Sequence, residues 1–120
     1  MPRWLLATLL VAILTALALA GGHQVNVSGH YKSNWDNVRL VQDGDRVTGT
    51  YVCCGGGTIE GRISEGRTIR YRWRQPGGEG LGVWLIDGPQ LQGTWGSGAS
   101  ADNGGRWDLA RTSAQGQIAR

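Results

Sequence analysis

Two cysteines stand side by side, Cys53-Cys54, and run into Gly55-Gly56-Gly57. Adjacent thiols have a short list of uses. Oxidised together, they close an eight-membered ring whose Cα spacing falls below the usual disulfide range, and strained bonds of that kind are the labile ones. Reduced, they offer two thiolates to a soft metal such as Cu(I) or Zn, and backbone N–H groups of the glycine run would lower their pKa. They also suit a disulfide to another chain, or plain packing. Consecutive side chains of a strand point to opposite faces, so one thiol would sit inside and one at a rim. His23 and His30 are the only histidines, neither stands at zinc-ligand spacing, and alternation places His30 outside. No cofactor is expected.

Two further sets carry possible chemistry. Arg70, Arg72 and Arg74 alternate with Ile69, Tyr71 and Trp73, and Arg62 joins them from the preceding segment. A strand separates such sets onto two faces, whereas a helix would scatter them. The arginine face suits an anion or an acidic surface, and equally a solvated exterior. The aromatic set is Tyr51, Trp73, Trp84, Trp95 and Trp107. Phe is absent from the chain, so these rings either fill the core or line a ligand cavity. For catalysis there is no P-loop, H-E-x-x-H or Gly-x-Ser-x-Gly, and Asp43, Asp45 and Asp87 sit in turn sequences. A non-enzymatic protein is expected, with no catalytic residue.

The elements that must position these residues are short strands. Val25 to Tyr31 alternates, and Lys32-Ser33-Asn34 reads as a bend. Trp35 to Gln42 gives a second strand, then Asp43-Gly44-Asp45 a hairpin turn. Arg46–Cys53, Thr58–Ile63 and Thr68–Arg74 follow. Gln75 to Gly80 reads as a loop. Leu81–Ile86, a strand around Leu91, Gly93 and Trp95, and Gly105–Arg111 complete the set, with a small-residue loop at Gly96 to Gly104. Eight short strands without a helix predict an eight-stranded antiparallel up-and-down β-barrel, with a two-sheet β-sandwich as the alternative. Five Gly-x-aromatic triplets favour closure: glycine leaves room for a neighbouring ring and lets a strand coil.

The chain has 120 residues and a formal net charge of +3. Arg3, the uncharged Trp4 to Leu19 and the small residues at Ala18 and Ala20 read as a helical signal peptide over residues 1–20. The rest divides into a barrel domain, 21–111, and a flexible tail, 112–120. Losing Arg3 leaves 11 basic against 9 acidic residues, a net of +2, too little to argue for nucleic acid. A periplasmic or secreted location follows, with no membrane span after cleavage, and an oxidising compartment for the cysteines.

Gly29-His30-Tyr31 with Asn34, then Gly44 and Thr48-Gly49-Thr50-Tyr51, resemble the opening strands of the avidin family. Gly93-Thr94-Trp95 and Arg106-Trp107-Asp108-Leu109 resemble its later ones. The likeness extends to small secreted bacterial barrels built on Gly-x-Trp/Tyr repeats. It implies an up-and-down barrel with Tyr51 at a ligand-contact position. It does not carry biotin binding, because Cys53 stands where the family tends to have a small hydroxyl and the family's ligand-contacting acid on the last strand has no counterpart. Together these features predict a non-catalytic binding module for an unidentified small anionic ligand or an envelope protein. The alternative is a small redox or soft-metal protein working through Cys53 and Cys54.

Overall fold

The computed structural model describes residues 25–114. The expected signal peptide, His23 and the last six residues of the expected tail lie outside them. Eight strands run in chain order: β1 (Gly29–Ser33), β2 (Val38–Asp43), β3 (Arg46–Tyr51), β4 (Gly57–Ser64), β5 (Thr68–Gln75), β6 (Gly78–Asp87), β7 (Gln90–Ser97) and β8 (Gly105–Ala114). Each pairs antiparallel with the next, and β1 pairs with β8, so the sheet closes into a barrel. That closure sets the sandwich alternative aside and removes every open edge.

Alternation explains the elements. In β5, Ile69, Tyr71 and Trp73 are buried while Arg70, Arg72 and Arg74 are exposed. Leu40, Val47, Ile69 and Trp84 fill the centre with Tyr31, Tyr71, Leu91 and Leu109 around them. Glycine makes the large rings fit. A Cβ on Gly57 would collide with the Tyr51 ring, and one on Gly82 with the Tyr71 ring. Each glycine lies directly across the ladder from that tyrosine. At Gly49 and Gly93 the close neighbour is instead a backbone carbonyl, of Arg39 and Val83, so only some of the expected ring-over-glycine contacts form.

Several element edges differ from the sequence reading. Val25–Ser28 is not strand, and β1 continues through Lys32 and Ser33 where a bend was expected. Trp35 belongs to the β1–β2 loop rather than to β2. β3 stops at Tyr51, before the cysteines. Gly78–Gly80 opens β6 instead of extending the loop, and β8 runs to Ala114, three residues into the expected tail. The extensions of β1 and β8 share a cause, because each satisfies backbone groups of the other, a strand distant in sequence. Gly78–Gly80 instead lengthens the β5–β6 hairpin.

An up-and-down barrel gathers its odd-to-even connections at one end and its even-to-odd connections at the other. The even-to-odd end is closed by the segment leading into β1. Val27 is buried there. Its N–H donates to Gln42 Oε1 (2.8 Å), and its carbonyl accepts from Tyr31 Oη (2.7 Å). Arg111 donates to Asn26 O (2.6 Å) and to Tyr31 Oη (3.2 Å).

Candidate functional site

The odd-to-even end is open. It is ringed by the β1–β2 loop (34–37), the β3–β4 connection (52–56), the β5–β6 turn at Pro76-Gly77 and the β7–β8 loop (98–104). Between them lies a cavity of about 350 Å³ lined chiefly by Trp35, Tyr51, Trp73, Trp95, Trp107 and the two cysteines. Gln75, Ser97, Gly77 and Gly78 complete the wall, and no charged side chain among the described residues lines it.

Each wall residue is held by its element. Tyr51 ends β3, and its hydroxyl donates to Gln75 Oε1 (2.8 Å) at the end of β5. Burial pushes the Tyr51 pKa up to about 12, so the hydroxyl stays a neutral donor. Burial also raises the Tyr71 pKa, and neighbouring Tyr51 adds to the shift. The Trp73 indole donates to Gly96 O (3.0 Å), and that of Trp107 to Ser33 Oγ (3.1 Å). Trp35 projects from a loop pinned to β8. Asn34 donates to Arg106 O (2.9 Å) and accepts from the Asp108 N–H (2.8 Å), and the Trp35 indole also donates to Arg106 O (3.0 Å).

The rings brace one another edge to face. Centroids are 5.7 Å apart for Trp35 and Trp95, 5.8 Å for Trp73 and Trp95, and 5.2 Å for Tyr51 and Trp107. Edge-to-face pairs of this kind are favourable beyond the area they bury. Trp95 Nε1 differs from the other indole nitrogens. It is the one buried side-chain nitrogen or oxygen among the described residues without a hydrogen-bond partner. Buried donors are nearly always satisfied; the Trp95 ring lines the cavity, but this nitrogen is buried away from it.

Cys53 and Cys54 form a disulfide. They lie in a 3-10 turn, Cys53–Gly55, not on the extended strand expected for them. The bond itself forbids the strand, because extended neighbours point their sulfurs apart. Cys53 packs against the core and Cys54 is exposed. The turn is fixed by the Gly56 N–H donating to Cys53 O (3.0 Å), and Val52 N–H ties it to Asn37 O (3.1 Å) of the neighbouring loop. With both sulfurs bonded, neither is a thiolate ligand. No group of three His, Cys, Asp or Glu among the described residues is placed to hold a metal. His30 pairs with Arg39 and Ser113 across its neighbouring strands.

Of the aromatic candidates, Tyr51, Trp73, Trp95 and Trp107 come together in the wall. Trp84 does not line it. That residue lies deeper, fully buried, stacked on Tyr71 at 4.0 Å and 5.3 Å from the Trp107 ring. Trp35 and Gln75 are wall residues that the sequence reading left out. The available signal was topological, since both stand at odd-to-even connections. Arg62, Arg70, Arg72 and Arg74 lie together on the exterior of β4 and β5, all exposed and outside the cavity. No protein-family model, curated protein or solved structure matches the chain.

Proposed function

We propose that this barrel is a non-catalytic binding module that takes a small uncharged, ring-bearing molecule into its mouth. The observation that carries the reading is the aromatic cavity of about 350 Å³ with no charged side chain among its described lining. Small-molecule pockets run from roughly 300 to 1,000 Å³, mostly apolar with a few polar handles. Gln75 and Ser97 are such handles here. Burying a charged ligand against this wall would leave its charge uncompensated, which moves the ligand class from anionic to neutral. The avidin-like motifs support the same end of the barrel, because Tyr51 stands in its wall. The amino-terminal sequence supports a site of action outside the cytoplasm.

The test is titration with the neutral fluorophore N-phenyl-1-naphthylamine, read by its emission and by energy transfer from tryptophan. Saturable binding is expected, and Gly78→Leu should abolish it. A Cβ at Gly78 has room 3.5 Å from the Trp73 ring, so the leucine occupies the cavity without breaking the hairpin. Binding that survives Gly78→Leu in a folded protein would place the fluorophore elsewhere and end the proposal.

A second reading, a small redox protein, draws support from the exposure of Cys54 at the cavity rim. It requires reduction within the glutathione range of about −180 to −320 mV. Alkylation and intact mass across that range would show no free thiol if the disulfide is inert.

A further inference from the structure

The exterior of β3, β4 and β5 carries an arrangement that the mouth does not explain. Arg46 on β3 stands directly opposite Arg62 on β4, and Arg62 directly opposite Arg70 on β5. Three arginines therefore form one row across three adjacent strands, at steps of about 5 Å between side-chain roots. Arg72 stands two residues on from Arg70, on the same face. Like charges directly opposite one another destabilise a sheet, so this row works against folding.

The fold neutralises only part of it. Arg46 pairs with Glu60 at 2.7 Å, and Arg62 with Asp45 at 2.8 Å. Arg70 and Arg72 form no ion pair among the described residues. Across the β6 ladder they face Val83 and Leu81, and across the β4 ladder Arg72 stands opposite Glu60, whose carboxylate is taken by Arg46. Four guanidiniums against Glu60 and Asp45 leave a local excess of 4 − 2 = 2 positive charges. The patch is not flat: a shallow groove lies over Arg46, Glu60, Arg62, Arg70 and Arg72, bounded by Leu81 and Val83.

We propose that this groove is a second binding site, separate from the mouth, for a soluble anion carrying more than one phosphate group. Guanidinium is the side chain suited to phosphate, presenting paired N–H donors in a planar fork. A multivalent phosphate matches a row of such forks, each group bridging neighbouring arginines. Its negative charge converts the repulsion between Arg62 and Arg70 into shared attraction. The exposed arginines exchange water for the anion at little desolvation cost, so binding is strong at low salt and screened as salt rises.

The probe is sodium tripolyphosphate, titrated by calorimetry at low salt into the purified protein. Saturable binding is expected, weakened by roughly tenfold for each guanidinium lost in Arg70→Thr and Arg72→Thr, the scale of one charge-assisted hydrogen bond. Arg39→Thr, at an exposed β2 position facing His30 and Thr50, should bind as the parent does. Without tripolyphosphate, Arg70→Thr should melt about 1–4 °C higher than Arg39→Thr, because it relieves the like-charge pair. The proposal is overturned by an absence of saturable heat, or by an equal loss in Arg39→Thr. Binding to phosphatidylglycerol vesicles without binding to tripolyphosphate would equally refute it. Gly78→Leu should leave tripolyphosphate binding intact, so the mouth and the groove succeed or fail separately.

Discussion

The two ends of the barrel are built from similar side chains and do opposite things with them. At the closed end, Tyr31 is capped by Val27 and Arg111, and in the centre beneath the mouth Tyr71 stacks on Trp84. At the mouth, Trp35, Tyr51, Trp73, Trp95 and Trp107 meet edge to face and surround a cavity. The closed end gains a segment that crosses it and donates its own hydrogen bonds. The mouth gains a disulfide turn and a loop pinned to β8, which hold rings in place without filling the space between them. Aromatic content alone therefore does not mark a binding site. What separates the two regions is whether the rings have partners on every side.

The widest separation between the two regions should come from paired tryptophan truncations. Trp84→Ala removes a fully buried ring and its indole bond to Trp107 O (3.0 Å). It should cost about 3–5 kcal/mol, and a shift of that size should be plain in a urea melt. Trp35→Ala removes a ring that is 41 % exposed, one edge contact and one hydrogen bond, and should cost about 1 kcal/mol. It should nevertheless weaken N-phenyl-1-naphthylamine binding severalfold. Equal costs for the two variants would mean that the mouth is core and not a site.

Gly57→Ala probes the seam between the regions. The added methyl would meet the Tyr51 ring, which must swing toward the cavity. A loss of about 1–3 kcal/mol is expected, the usual range for overpacking, together with weakened fluorophore binding. Gly66→Ala, with nothing within 4 Å, has no ring to move and should leave binding unchanged.

Alkaline pH should bear on both regions through the tyrosines. Burial raises the pKa of Tyr31, Tyr51 and Tyr71 in the folded protein. Below pH of about 10 the hydroxyls are neutral in both states, and the full stability is present. Above it the unfolded chain releases protons that the folded chain retains, so stability falls as pH rises. For Tyr51 the loss runs from about 10, its unfolded value, to about 12. Thermal melts at rising pH should show this decline, and Tyr51→Phe should make it shallower.

Much of the fold was legible in local alternation, and β5 is the clearest case, because one period-2 run sorted Ile69, Tyr71 and Trp73 from three arginines. The edges were less legible because they depend on distant partners. Trp35 reads as a strand residue by hydrophobicity. It is a loop residue because Asn34 reaches β8, 72 to 74 residues away. For the cysteines the information was local: a bond between neighbours excludes an extended strand, and the turn follows. The wall was partly readable through height along the strands. Tyr51, Trp73, Trp95 and Trp107 each lie within two residues of a mouth-side strand end, whereas Trp84 lies six residues into β6. The groove was legible as an arginine face, but its directly opposed arginines required the register.

The smallest stability effect belongs to the disulfide, and it sharpens the contrast most. Cys53–Cys54 closes a loop of two residues. Cross-link stabilisation grows with loop length, so loss of this bond should cost about 1 kcal/mol or less. A double Cys53→Ser/Cys54→Ser variant should therefore melt within a few degrees of the parent. Its effect should fall on the mouth, where the two cysteines form part of the cavity wall. Replacing their apolar surface by two hydroxyls should weaken N-phenyl-1-naphthylamine severalfold while leaving tripolyphosphate binding unchanged. If the variant instead melts far below the parent with unaltered fluorophore affinity, the turn is a structural staple. The mouth would then differ from the closed end only in being less completely filled.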